Sequence, residues 1–229
     1  MPLGDGPLLH GWWFPAANSA QASGAAVYFH GNAGHLGDRG TVAAALSGMG
    51  LDVLLPDYRG YGLSEGKASE EGLYSDARAA YAWLVDERGV DPRRLFLIGN
   101  SLGSAVACDL AMQRRVAGLV LLGVFSSTPA LARHRIKWLP SWYLEWDQTR
   151  FDTLKRIGRV RAPVLIGVAS EDRVIPPGEA ERVFEAAIEP KRWVLVQGAG
   201  HNDIFAHEDL WKELYSFTHG VLVSDDSEE

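Results

Sequence analysis

Three side chains far apart in the sequence have the types needed for nucleophilic acyl transfer: Ser101, Asp172 and His201. A serine hydroxyl attacks a carbonyl well only when a neighbouring base takes its proton and a third group orients that base. Ser101 is the middle residue of Gly99-Asn100-Ser101-Leu102-Gly103, whose two glycines suit a sharp turn that lifts a hydroxyl clear of the backbone. The base candidate is His201, in the glycine-rich stretch Gly198-Ala199-Gly200-His201-Asn202-Asp203. An imidazole can accept and return a proton near neutral pH, which carboxylates and lysines do only after large shifts. The acid candidate is Asp172, in Ala169-Ser170-Glu171-Asp172-Arg173-Val174, with Glu171 as its nearest rival.

A tetrahedral intermediate also needs donors for its oxyanion. One donor is expected from the backbone N–H of Leu102, the residue after the serine. The other is expected from Asn32 in His30-Gly31-Asn32-Ala33-Gly34. In this reading His30 shapes the loop and is no second base, and His35 has no motif support. Each of these segments follows an apolar run. Strand candidates lie near residues 25–29, 51–56, 94–98, 117–123, 163–168 and 192–196, and helical periodicity covers Glu70 to Glu87 and Pro177 to Ile188. Continuous rather than alternating apolar strands, separated by helices, indicate a mostly parallel sheet buried on both faces.

Four segments carry a family resemblance: His30-Gly31-Asn32-Ala33-Gly34; Asp57-Tyr58-Arg59-Gly60-Tyr61-Gly62-Leu63-Ser64-Glu65-Gly66; the stretch centred on Ser101; and Gly200-His201-Asn202-Asp203. With them the chain resembles α/β-hydrolases of the BEM46-like group, related to types 17 and 13 of the alpha/beta hydrolase domain-containing proteins. The order serine, acid, histidine is the one that fold uses. The resemblance implies an α/β-hydrolase fold with a mostly parallel central sheet, helices on both faces and a short lid. It also implies a serine hydrolase acting on esters or thioesters, with lipase and acyl-protein thioesterase activities among the options. The alternative in another class is a catalytically silent binding or interaction module on the same fold. Asn100 stands where the group usually has arginine and Ser104 where it has glycine, so packing around the turn is expected to differ. The group's membrane anchor and extra leading strands are not evident before Gly11-Trp12-Trp13.

Composition narrows the field further. The 229 residues are 47% hydrophobic and carry a net charge of −7, which fits one α/β domain over residues 1–229 and disfavours nucleic-acid binding. The single cysteine, Cys108, excludes an internal disulfide. No Cys/His spacing suggests zinc, and the expectation is a cofactor-free protein with a small-molecule or lipid ester as substrate. No apolar run is long enough to span a bilayer and no signal peptide is apparent, so a cytoplasmic location is expected. The lid is expected over about 126–156. There Trp138, Trp142, Tyr143 and Trp146 are candidates to bind the substrate, close to the basic residues Arg133, His134, Arg135 and Lys137. The final residues, 222–229, read as a polar acidic tail.

Overall fold

The computed structural model describes residues 6–17, 23–135 and 149–226. A seven-stranded sheet runs through its centre, with strands β1 (Gly11–Phe14), β2 (Gly24–Phe29), β3 (Leu51–Pro56), β4 (Leu95–Asn100), β5 (Gly118–Leu122), β6 (Val164–Ala169) and β7 (Lys191–Val196). Their spatial order is β1-β3-β2-β4-β5-β6-β7. All neighbours are parallel except β1, which lies antiparallel on β3 with Gly11 opposite Pro56.

Strands β2 to β6 are buried on both faces because both sets of alternating side chains are apolar. Val27, Phe29, Leu97, Leu121 and Ile166 point into one core, and Ala26, Tyr28, Phe96, Ile98, Val120 and Leu165 into the other. The first core is closed by helices α2 (Glu70–Ala82), α3 (Leu102–Gln113), α5 (Thr153–Ile157) and α6 (Pro177–Ala186). The second is closed by α1 (Gly40–Gly48) and α7 (Glu208–Asp226). A short helix α4 (Thr128–Arg135) follows the end of β5.

The structure differs from the sequence reading at three places. Strand β1 was not among the expected strands; it is four residues long, partly exposed, and exists because Trp13 packs on the first core and Trp83 while the backbone pairs with β3. Helical residues from Glu70 to Glu87 divide into α2 and a wider π-type turn over Trp83–Glu87. The acidic end is helical through Asp226 rather than a tail from residue 222, because Leu222 is buried in the second core and carries α7 onward. Among the described residues no helix is long and apolar enough to cross a membrane.

Candidate active site

The turn between β4 and α3 places Ser101 at φ 53°, ψ −118°, a conformation that costs a non-glycine residue on the order of 1–3 kcal/mol. The surrounding glycines are sterically required. A Cβ on Gly99 would lie 2.3 Å from the Gly103 carbonyl oxygen, and one on Gly103 would lie 2.0 Å from that of Phe29. The strained backbone is held by the Ser101 N–H donating to the Leu122 carbonyl at 2.8 Å. Ser104 contributes here. It is fully buried and its hydroxyl reaches the Gly99 and Leu122 carbonyls at 3.1 and 3.0 Å, tying the turn to β5.

Asp172 and His201 occupy the loops that follow β6 and β7. Backbone bonds bind these loops together: Ser170 N–H to the Val196 carbonyl at 3.1 Å and Glu171 N–H to that of Ala199 at 2.8 Å. As a result His201 Nδ1 lies 2.7 Å from Asp172 Oδ2 and His201 Nε2 lies 3.2 Å from Ser101 Oγ. The Val174 and Ile175 amides donate to the other Asp172 oxygen, both at 2.7 Å. Burial alone would raise the Asp172 carboxyl. The hydrogen bonds from His201, Ile175 and Val174 outweigh it and hold the group below the usual carboxylate range. An ionised carboxylate only accepts, so the imidazole proton sits on Nδ1 and a neutral ring turns its Nε2 lone pair towards the serine. The rival carboxylate, Glu171, is exposed.

Gly123, which carried no signal in the sequence reading, closes this arrangement from behind. Its φ is +55°, and an added Cβ would meet His201 Cε1 at 3.3 Å and Nδ1 at 3.5 Å. A glycine just after an apolar strand is an ordinary terminator in sequence, so only the structure shows that it makes room for the imidazole.

The His30–Gly34 loop runs alongside Ser101: a Cβ on Gly31 would lie 3.3 Å from that of Ser101. The Asp57–Gly66 segment shapes this loop. Tyr58 OH donates to the His30 carbonyl at 3.0 Å and Tyr61 OH to Asn32 Oδ1 at 2.7 Å. Asp57 accepts from the Leu36 amide at 2.8 Å and lies 3.4 Å from His30 Nε2. Burial raises the Asp57 carboxyl, but the adjacent His30 imidazole and the hydrogen bond from the Leu36 amide more than offset this and keep it low. Arg59 grips the buried Asp76 with Nε and Nη2 at 2.9 and 2.7 Å. His30 is fully buried, whereas His35 is exposed and caps the following turn through the Gly37 amide. Leu102 opens α3, where first-turn N–H groups lack partners within the helix.

A cleft of about 460 Å³ opens beside Ser101. Leu73, Leu102, Leu131, Phe151 and Ile175 form its apolar walls, and Asn32 and Tyr61 lie at its polar side. Phe151 is positioned by Glu70, whose carboxylate accepts from the Arg150 amide at 2.5 Å, the Phe151 amide at 2.8 Å and Tyr74 OH at 2.8 Å. Sequence reading placed substrate contacts on Trp138, Trp142, Tyr143 and Trp146, which lie outside the described residues. It did not identify Leu73, Phe151 or Ile175, because their apolar character is shared with every core position. Among the described residues no cluster of His, Cys, Asp and Glu could hold a metal ion.

Similarity to known proteins agrees with this architecture. A family model described as alpha/beta hydrolase fold matches residues 26–155. An uncharacterized protein of Mycobacterium tuberculosis, Rv2307c, is 46% identical over 200 residues, covering 87% of this chain and 70% of that protein. Human alpha/beta hydrolase domain-containing protein 17B is 30% identical over 199 residues, covering 86% of this chain and 67% of its own. The crystal structure of the Pyrococcus furiosus esterase Pf2001 superposes with a TM-score of 0.78 at 19% identity, over 96% of this chain and 90% of that one, which is a likeness of fold. With its sheet order, its β4–α3 turn and the matched family model, this chain belongs to the alpha/beta hydrolase fold family.

Proposed function

We propose that the protein is a serine hydrolase that cleaves carboxylic esters or thioesters through an acyl-enzyme. The observation that carries this reading is the continuous relay from Ser101 through His201 to Asp172, at 3.2 and 2.7 Å, opening on an apolar cleft. In this mechanism His201 Nε2 removes the Ser101 proton as Oγ attacks the acyl carbonyl. The Leu102 and Asn32 N–H groups receive the developing oxyanion, a contribution typically worth about 10²–10³ in turnover per donor. Asp172 keeps the proton of the neutral ring on Nδ1 and stabilises the imidazolium. His201 then protonates the departing alcohol or thiol, and the same nitrogen deprotonates the water that releases the acid. No step calls on a cofactor.

The acyl group is assigned to the cleft walls at Leu73, Leu131, Phe151 and Ile175. Leu131 and Thr149 flank the Trp138, Trp142, Tyr143 and Trp146 segment and both line the cleft, which supports those aromatics as further acyl contacts. The His30–Gly34 and Asp57–Gly66 segments support placement in the BEM46-like group. The test is hydrolysis of p-nitrophenyl esters of increasing chain length, beside Ser101→Ala protein of verified folding. Turnover lost in the variant supports the reading. Equal turnover in both proteins rules out Ser101 as the nucleophile, and no turnover on esters and thioesters alike favours a silent binding module.

A further inference from the structure

Five arginines, dispersed in the sequence, meet around one cleft. Arg93 precedes β4, Arg114 and Arg115 lie between α3 and β5, and Arg159 and Arg161 lie between α5 and β6. The cleft measures about 620 Å³ and sits at the amino-terminal ends of β4, β5 and β6, the opposite pole of the sheet from Ser101. Its floor is apolar, formed by Met112, Val116, Pro163 and Val221, and among the described residues no carboxylate lines it.

We propose that this cleft binds a small molecule carrying a di- or triphosphate group on a flat apolar moiety, the chemistry of a nucleoside polyphosphate. Gathering five guanidiniums in a chain of net charge −7 costs mutual repulsion, and the fold accounts for only part of it. Arg93 pairs with Asp91 at 2.9 Å, and Arg114 follows the carboxyl end of α3, where a cation is favoured. Arg114, Arg115, Arg159 and Arg161 are exposed and form no ion pair among the described residues. Asp91 lies beside Arg93. The Arg93 hydrogen bonds hold it below its usual range, with a smaller contribution from the Arg115 charge. Guanidinium forks match phosphate oxygens two at a time and stack on planar rings, while the floor can take up the apolar part. The bounded concavity is of ligand size, which favours a small molecule over a flat membrane surface.

The test is calorimetric titration of the full chain at low salt with ATP, ADP, pyrophosphate and adenosine, together with binding to vesicles of equal parts phosphatidylcholine and phosphatidylserine. ATP and ADP are expected to bind, pyrophosphate more weakly, and adenosine not measurably. Arg159→Glu/Arg161→Glu should weaken ATP at least about tenfold, the loss of one or more charge-assisted contacts, with ester turnover and circular dichroism unchanged. Arg114→Ala/Arg115→Ala serves as a second variant should the first fail to fold. The proposal is overturned by absence of nucleotide binding, by equal binding in wild type and both variants, or by pyrophosphate binding as tightly as ATP. Binding to vesicles in place of nucleotides overturns it too. So does nucleotide binding that appears only after Asp225→Asn/Asp226→Asn, since the chain's own acidic end would then be the occupant.

Discussion

Replacing Gly123 with alanine separates backbone strain from damage to the site, because a second glycine provides a matched control. Gly123 has φ +55° and an added methyl group 3.3 Å from the His201 ring; Gly89 has φ +68° and nothing within 4 Å of its added methyl group. Alanine in the left-handed region costs roughly 1–2 kcal/mol, partly offset by about 0.4–1 kcal/mol from the smaller entropy of the unfolded chain. Each variant should therefore lose about 1 kcal/mol, a fall in Tm of about 2–4 °C for a domain of this size. Only Gly123→Ala should also lose activity. Its contact forces the imidazole to yield by a few tenths of an ångström, stretching the 2.7 Å bond to Asp172 or the 3.2 Å approach to Ser101. A full ångström of misplacement can cost 10²-fold, so a loss of about tenfold in kcat/KM is expected. Thermal melts and ester kinetics on the two variants check this. Full activity in Gly123→Ala at the same stability as Gly89→Ala would refute the claim that the His201 position limits the reaction.

Three further outcomes follow from the same geometry. Ser104→Ala removes a hydroxyl that serves the Gly99 and Leu122 carbonyls, so a loss of about 1–2 kcal/mol is expected in denaturant unfolding, with the Ser101 turn loosened as well. The Asp172 carboxyl is held low in the folded state, so its ionised form contributes stability above the unfolded pKa of about 3.9 and loses that contribution as pH falls through the folded value. The stability gap between wild type and Asp172→Asn should accordingly be constant above about pH 5 and shrink below about pH 4, as followed by melts across that range; a gap that widens on acidification would contradict the assignment. Cys108 is fully buried and burial pushes its thiol well above the usual range, so iodoacetamide at mildly alkaline pH should leave native protein unmodified and alkylate it only after denaturation.

Much of the fold is legible in the sequence for a physical reason. Strands buried on both faces need two sets of apolar side chains, so β2, β4, β5 and β6 appear as mostly continuous apolar runs, and β3 does too apart from Asp52. Strand β1 escapes that signal because it is a short edge strand with Trp12 exposed. Ser101, Asp172 and His201 stand out as candidates because each lies in a loop directly after such a run, with glycines beside Ser101 and His201. The features that need three dimensions are those built from residues with ordinary local roles. Gly123 reads as a strand terminator, Glu70 as a surface acid at a helix start, and the five arginines as isolated charges in three separate segments. Their significance lies in contacts across tens of residues, such as Glu70 with Phe151, that no local periodicity reports.

The most direct test of the central claim is covalent labelling of the folded protein with a fluorophosphonate, followed by mass spectrometry of the peptides. The account expects one adduct, on Ser101, absent in Ser101→Ala and formed far more slowly in His201→Ala. A folded wild-type protein that takes no label at Ser101, or takes it equally fast without the histidine, would contradict it.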